Sequence, residues 1–285
     1  MVKNAFGDNI PQIKELLKNK EIRDYVEKVL KRVLSHLEIK DVEELIELTI
    51  SKAMNYTDLN EYETEVHRIF DKKRVTQRIP TKLANRSQLI FEQIKDYLKG
   101  HDILDLGCGD GKLGEIIANT QPRQVILVDV YEPGNIANIN LPFGLIKQNR
   151  KIPFLDDNFD TTLLLTVLHH SDDPIMVLEE AKRVTRKGGR IIIIESVFGV
   201  DGYDKLDENE QRLTNIFFDH FYNRIIHYSE FPENKVNVPF NFKKPDQWNK
   251  LFIKMGFVIE ETKHLGFDQE AVPEYHTLHV IRVNK

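Results

Sequence analysis

The chain has 285 residues, of which 41% are hydrophobic and 30% charged, with a formal net charge of −5. This length suits one large domain or a core domain with an appendage, and the composition is typical of a soluble globular protein. The charge gives no overall attraction to nucleic acid or anionic lipid, and a single cysteine, Cys108, excludes a disulfide framework or a multi-cysteine metal site. The longest apolar runs, 163–168 and 191–194, are too short to span a bilayer, and no leader is recognisable, so we expect a cytoplasmic protein.

Residues 1–80 are predicted to form a helical region. Apolar side chains recur at three- and four-residue steps from Ile22 to Leu37, which is the period of an amphipathic helix. Shorter segments of the same kind, 42–50 and 61–70, follow, with Asp41 and Thr57 as predicted N-caps. A basic stretch interrupted by Pro80 leads into the next region. We expect the helices to cover the main domain or to mediate a homodimer.

Residues 86–285 are predicted to form an α/β domain. Apolar runs at 103–106, 125–128, 161–168 and 190–194 alternate with helical patterns at 112–119 and 174–184. Strands of this kind are typical of a parallel sheet covered on both faces. The C-terminal pattern is a helix at 245–255 and two strands, 257–264 and 277–283, which indicates an antiparallel hairpin at a sheet edge. The expected fold is a doubly wound, mostly parallel, seven-stranded sheet with an insertion at about 200–245.

The turn between the first strand and the first helix, 101-HDILDLGCGDGKLGEII-117, has two interpretations. Read as Gly109-x-Gly111-x-x-Gly114, it is the fingerprint of a dinucleotide site; read as Asp105-x-Gly107-x-Gly109-x-Gly111, it is the pattern of a methyl-donor site. Both sites use glycine N–H groups and a helix N-terminus to hold a negative group. Both also place an acid such as Asp129 after the second strand, so the turn alone does not choose between them.

Later segments favour the methyl-donor interpretation. A carboxylate at Asp105 suits a ligand with an ammonium group, which a nicotinamide dinucleotide lacks. The segments 152-IPFLDDNFDTTLLLTVLHHSDDP-174 and 178-LEEAKRVTRKGGRIIIIES-196 follow the turn. With these segments, residues 86–200 resemble the class I, Rossmann-like methyltransferases that use S-adenosylmethionine (SAM), especially the broad small-molecule group. A NAD-dependent oxidoreductase would explain the glycine turn alone.

The resemblance implies a set of cofactor residues. The turn would hold the amino-acid end of SAM, Asp129 the ribose, and Val130 or Tyr131 the adenine. Gln148, next to Asn149, would contact the adenine amino group through an amide. Thr166 would end the fourth strand beneath the methyl group, and Cys108 would be a small filler within the cofactor turn. The implied cofactor-binding residues are Asp105, Gly107, Cys108, Gly109, Gly111, Asp129, Val130, Gln148, Asn149 and Thr166.

Catalytic and acceptor-binding residues are open at this stage. His169, His170 and Glu195 lie at the carboxyl ends of strands, where ligands of open α/β folds bind, and each is either a base or a fold feature. The insertion interleaves polar groups with an apolar helical stripe, which suits either a lid over the acceptor or a plain core helix. Its candidate acceptor-binding residues are His220, Tyr222, Arg224 and His227. No metal site is expected, since Asp172 and Asp173 are more typical of a helix start.

The function predicted from the sequence is SAM-dependent methyl transfer to O, N or C of a small-molecule acceptor. A nucleic-acid partner is not favoured, because the motif Asn/Asp-Pro-Pro-aromatic of base-amine methylation is absent from the sequence. A protein or tRNA acceptor stays open because of the basic stretch at 68–86, as does a SAM-binding protein without catalysis. Fold-level resemblance does not identify the acceptor.

Overall fold

A computed structural model describes residues 3–75, 77–78, 85–120, 123–132, 134–146, 151–198, 203–228, 235–269 and 272–285. The chain divides into two units by its internal contacts. The helical unit comprises Met1–Ala84, Val197–Phe240 and Phe267–Tyr275, and the sheet unit comprises Asn85–Ser196, Asn241–Gly266 and His276–Lys285.

The sheet has seven strands in the order β3-β2-β1-β4-β5-β7-β6. Their bounds are β1 Asp102–Leu106, β2 Gln124–Asp129, β3 Phe143–Leu145, β4 Phe159–Leu165, β5 Thr185–Phe198, β6 Val258–Gln269 and β7 Val272–Arg282. The pairs β1–β2, β1–β4, β2–β3 and β4–β5 are parallel, and the C-terminal hairpin is antiparallel. The α/β fold predicted from the sequence is therefore confirmed.

The helices are α1 Ala5–Asp8, α2 Ile10–Leu16, α3 Lys20–His36, α4 Val42–Asn55, α5 Leu59–Lys72, α6 Arg86–Ile94, α7 Lys112–Thr120, α8 Pro174–Val184, α9 Glu208–His220 and α10 Pro245–Lys254. A π-helix, Phe221–Ile226, continues α9. Short 3₁₀ turns occur at Lys95–Tyr97, Ile136–Asn138, Leu168–His170 and Tyr203–Lys205. The reversed order around β1 and β4 creates the switch point at which open α/β sheets bind ligands.

Two hydrophobic cores cover the two faces of the sheet. Alternate residues of a strand point to opposite faces, so Ile191 and Ile193 join one core while Ile192 and Ile194 join the other. The first core also contains Trp248 and Phe252 of α10. Because both faces are covered, a strand reads as a continuous apolar run, which is why the sequence located the central strands.

The helical unit has a core of aromatic side chains. Phe6 stacks on the His220 ring, with 4.1 Å between centroids, and Tyr62 stacks on Phe6 at 5.8 Å. The backbone of Asn4 forms a parallel bridge with Val238. These contacts join the N-terminal segment to residues of the insertion within one unit.

Local details of the sequence prediction need correction. The cap of α5 is Asp58, whose Oδ1 accepts from the Glu61 N–H at 2.8 Å, and not Thr57. Asp41 precedes α4 in the left-handed region and its side chain makes no capping bond. The fourth strand ends at Leu165, because Thr166 has a φ of 58° and turns the chain into the 3₁₀ segment. The short strand β3 was not predicted.

Candidate functional site

The turn after β1 depends on three glycines with left-handed backbone. The φ angles of Gly107, Gly109 and Gly111 are 80°, 53° and 74°, values that residues with a Cβ adopt only at a cost. The N–H groups of Gly107 and Cys108 both donate to the Val128 carbonyl, at 2.8 and 3.1 Å, which fixes the turn to the end of β2. The turn then leads directly into the N-terminus of α7.

The glycines differ in what surrounds them. A Cβ on Gly107 would lie 2.4 Å from the Val167 side chain, and one on Gly114 would lie 2.4 Å from Leu127. These two positions therefore serve close packing of the loop after β4 and of α7 against the sheet. A Cβ on Gly109 would meet nothing within 4 Å. The open face of the turn is at Gly109, so it is the position where a ligand can approach the backbone.

Asp129 closes one side of the turn. It is 5% exposed. Its Oδ2 accepts from the Gly109 N–H at 2.9 Å and its Oδ1 accepts from the Val130 N–H at 2.7 Å. Burial raises the pKa of Asp129, although the N–H groups of Gly109, Val130 and Tyr131 oppose that rise. The carboxylate is thereby held rigidly, and each oxygen keeps a lone pair for a further donor.

Asp105, near the end of β1, is a buried carboxyl group whose hydrogen-bonding capacity the described residues do not fill. It is 3% exposed, and its Oδ2 accepts no hydrogen bond from any residue that the structure describes. Burial, together with repulsion from Asp129 and Asp110, raises the pKa of Asp105 to about 7. Such a group binds a cation favourably, because a positive charge would compensate both its burial and its carboxylate neighbours.

The other implied cofactor residues occupy varied settings. Cys108 is a buried free thiol whose pKa is raised by burial, which makes it a packing residue rather than a nucleophile. Val130 is 62% exposed and Tyr131 46% exposed, so both offer apolar surface beyond the end of β2. Gln148 and Asn149 lie outside the described residues.

A buried acid–histidine pair lies at the ends of β4 and β5. Glu195 Oε2 is 2.7 Å from His169 Nδ1, and Oε1 accepts from the Leu168 N–H at 2.8 Å. His169 is 3% exposed and Glu195 2% exposed. Thr166 donates its N–H to the Ile194 carbonyl at 2.7 Å, which aligns the ends of the two strands. The partly buried His170 lies beside His169, with 4.1 Å between ring centroids.

The candidate acceptor-binding residues of the insertion make contacts inside the helical unit. His220 Nε2 lies 3.1 Å from Glu63 Oε1, and Arg224 donates from Nε and Nη2 to the two Glu63 oxygens, both at 3.0 Å. The Tyr222 and His227 rings lie 5.0 Å apart, edge to face. An acceptor-binding role for these four residues stays a prediction.

Glu63 was missed by the sequence analysis. It is fully buried and also accepts from Lys235 Nζ, at 2.9 Å. Burial would raise its pKa, but the hydrogen bonds from His220 and Arg224 outweigh burial and hold the pKa at about 2. Burial lowers the pKa of His220, so Arg224 and Lys235 are the charges that balance Glu63. Nothing in the sequence around Glu63 indicates that its charged partners, Arg224 and Lys235, lie more than 150 residues away.

Among the described residues, no group of three or more His, Cys, Asp or Glu side chains is arranged to hold a metal ion. None of the described helices combines the length and apolarity needed to cross a bilayer.

Residues 104–193 match the family model described as "Methyltransferase domain". The tRNA U34 carboxymethyltransferase of Nautilia profundicola is 25% identical over an alignment of 225 residues, and the match spans 70% of this chain and 71% of that protein. The enzyme of the same name from Marinobacter nauticus is 31% identical over 134 residues, but the match spans only 42% of this chain and 40% of that protein. Among solved structures, the 1,6-didemethyltoxoflavin-N1-methyltransferase of Burkholderia thailandensis with bound S-adenosylhomocysteine is 16% identical. It has a TM-score of 0.47, covering 81% of this chain and 92% of that one.

Proposed function

Because this chain is a class I, Rossmann-like, SAM-dependent methyltransferase, we propose that it transfers the methyl group of SAM to tRNA, with uridine 34 as the target base. The dinucleotide interpretation of the glycine turn is set aside, since SAM is the cofactor. The proposal concerns the acceptor of the methyl group and the residues that act on that acceptor.

The residues of the turn fit SAM. The Oδ2 atom of the buried Asp105 lacks a donor among the described residues, which suits the α-ammonium group. The N-terminus of α7 suits the carboxylate of the same methionine moiety, and the space beside Gly109 leaves room for it. Asp129 keeps lone pairs for the ribose hydroxyls, and the exposed side chains of Val130 and Tyr131 suit the adenine ring. SAM supplies a methyl group on a sulfonium centre.

The observation that carries the tRNA acceptor is the extent of the Nautilia match. It spans 70% of the chain, whereas the family model for the methyltransferase domain covers only residues 104–193. The likeness therefore extends beyond that domain, which supports an acceptor of the same class. The transferred group in that relative's name is a carboxymethyl group, so the product of this chain needs to be identified by mass.

A small-molecule acceptor is the second candidate, favoured by the electrostatics of the basic stretch. Lys73 donates to both Asp41 and Glu44, at 3.2 Å each. Arg78 donates to the carbonyls of Leu37 and Glu38 at 3.0 and 2.8 Å. These cations are occupied within the helical unit, and the chain carries a net charge of −5. RNA binding through Lys73 or Arg78 would require these contacts to break.

For catalysis we propose that the Glu195–His169 pair orients the acceptor side of the site. Glu195 holds one oxygen on the Leu168 N–H and the other on His169 Nδ1, so a proton at Nδ1 leaves Nε2 as the basic nitrogen of the ring. Aligned binding supplies most of the rate in this scheme, since placement of reactants lowers a barrier by as much as about 7–11 kcal/mol. The pair contributes orientation, and proton removal where the acceptor needs it.

Calorimetry tests cofactor binding. Purified protein is titrated with SAM, S-adenosylhomocysteine, NADH and NADPH, with Asp129→Ala as the variant and Asp156→Asn as a matched control at an exposed carboxylate. We expect binding of the two adenosyl-sulfur ligands alone, weakened by Asp129→Ala and unchanged in the control. Binding of nicotinamide cofactors alone would reject the assignment of the turn.

A transfer assay tests the acceptor. Radiolabelled SAM is incubated with unmodified tRNA transcripts that differ only in having uridine or cytidine at position 34, and in parallel with a panel of small molecules. Label in the uridine transcript alone supports the tRNA proposal, and nucleoside mass spectrometry then distinguishes a methyl from a carboxymethyl product. Label in a small molecule and in neither transcript would replace the proposal with the second candidate.

A further inference from the structure

A lysine outside the sites described above lies on the acceptor side of the sheet unit. Lys243 belongs to the segment between Phe240 and α10, which is held against the residues that follow β4. The Asn241 side chain donates to the Ser171 carbonyl, and the Phe242 ring stacks on His169 with 4.4 Å between centroids. The segment is therefore fixed to the Glu195–His169 pair.

Two donors in this place lack acceptors. The Lys243 ammonium lies 5.1 Å from the centroid of the Trp248 ring and, among the described residues, forms no hydrogen bond or ion pair. Trp248 is 1% exposed, and its Nε1–H likewise finds no acceptor within the described ranges. A cation over an indole gains about 0.5–2 kcal/mol but leaves three N–H donors of the ammonium unmet. A buried indole N–H without an acceptor costs about 1–3 kcal/mol.

The electrostatics of Lys243 favour an added anion. Burial lowers the pKa of Lys243, and attraction to the Glu195 carboxylate opposes that lowering. The ammonium is therefore partly stripped of water, while the Glu195 carboxylate that attracts it is already bonded to His169 and Leu168. A further oxyanion would restore hydrogen bonds to a cation that has lost hydration.

The position separates this place from the cofactor turn. Glu195 is on β5 and Asp105 is on β1, and β4 lies between these strands. Two strand spacings amount to about 10 Å. An oxyanion near Lys243 would thus belong to the acceptor, since the carboxylate of the cofactor is assigned to the glycine turn.

We propose that Lys243, held beside the buried Trp248 ring, is a binding site for an oxyanion of the methyl acceptor, a phosphate group when the acceptor is a tRNA nucleotide. The inference rests on the proposed function for its choice of phosphate. The ammonium supplies the charge and its N–H donors. The site makes the enzyme select an anionic acceptor over its neutral analogue.

The test uses Trp248, the single tryptophan of the chain, as its own reporter. Its fluorescence is followed while the protein, with and without S-adenosylhomocysteine, is titrated with uridine 5′-monophosphate, uridine or acetate at constant ionic strength. We expect a saturable change with the monophosphate and none with uridine. Lys243→Met should raise the half-saturation concentration at least about tenfold, Lys243→Arg should retain binding, and Lys250→Met, at an exposed lysine of α10, should behave as wild type.

Each other outcome has a defined meaning. An absence of saturation with all three probes, or equal saturation in Lys243→Met and wild type with unchanged melting temperatures, overturns the site. Saturation by acetate and not by the monophosphate keeps an oxyanion site but rejects a phosphate and with it the nucleotide acceptor. Calorimetric binding of S-adenosylhomocysteine in the same samples separates failure of this site from failure of the proposed function.

Discussion

If Asp105 binds the α-ammonium group of the cofactor, as proposed above, its raised pKa should make cofactor affinity depend on pH. In the free protein the group titrates at about 7. A bound α-ammonium group would favour the ionised carboxylate, so the pKa in the complex lies lower and binding releases a proton. The ammonium of the ligand, with an ordinary pKa of about 7.7–8.0, stays charged below pH 7. Affinity should therefore fall as the pH falls below 7, because the ligand must displace the Asp105 proton.

The size of the effect follows from the titration. With a free-state pKa of about 7, affinity at pH 6 should be about tenfold below its plateau, and at pH 5.5 about thirtyfold below it. About 0.9 of a proton should be released per ligand at pH 6. The same pKa, raised above that of the unfolded chain, makes the ligand-free protein less stable as the pH rises from 4 to 7. Asp105→Asn should remove that loss.

The assay is calorimetric titration of S-adenosylhomocysteine between pH 5.5 and 7.5 in two buffers of different ionisation enthalpy. Asp105→Asn should bind weakly and without pH dependence, while Asp156→Asn should retain the wild-type profile. A flat wild-type profile would refute the reasoning, and so would a pH dependence that survives in Asp105→Asn. In either case the carboxylate would not meet the ligand ammonium.

Further predictions concern glycines and two buried carboxylates. Gly107→Ala would place a Cβ at a φ of 80° and 2.4 Å from the Val167 side chain, so it should lower both the melting temperature and the affinity for SAM. Gly109→Ala would place a Cβ in open space, so it should cost only about 1–2 kcal/mol of stability yet abolish SAM binding. Equal melting temperatures for the two variants would contradict the packing difference. Glu63→Gln should destabilise the protein by about 3–5 kcal/mol in chemical denaturation, while Glu65→Gln, at an exposed pair, should change stability by less than about 1 kcal/mol. Glu195→Gln should lower kcat about a hundredfold and shift the pH profile of kcat, while the affinity for SAM stays unchanged. A weaker affinity for SAM with an unchanged kcat would assign Glu195 to cofactor binding instead.

The sequence predicted the central strands and the glycine turn well for physical reasons. A strand buried on both faces must be apolar throughout, and a backbone with φ near 80° selects glycine at Gly107, so both leave local marks. The buried network around Glu63 leaves none, because its charge is balanced by Arg224, 161 residues away. The pairing of Glu195 with His169 was likewise invisible, since a parallel sheet brings together strand ends that are separated by a whole helix.

The helical unit is assembled from three separate pieces of chain, and this has a consequence for its synthesis. Glu63 leaves the ribosome 161 residues before Arg224. At about 5–20 residues per second, the carboxylate waits on the order of ten seconds for its counter-ion. During that interval helix α5 cannot bury its inner face without also burying an uncompensated charge. We therefore expect the N-terminal helices to stay incompletely packed until the insertion that carries Arg224 has been synthesised.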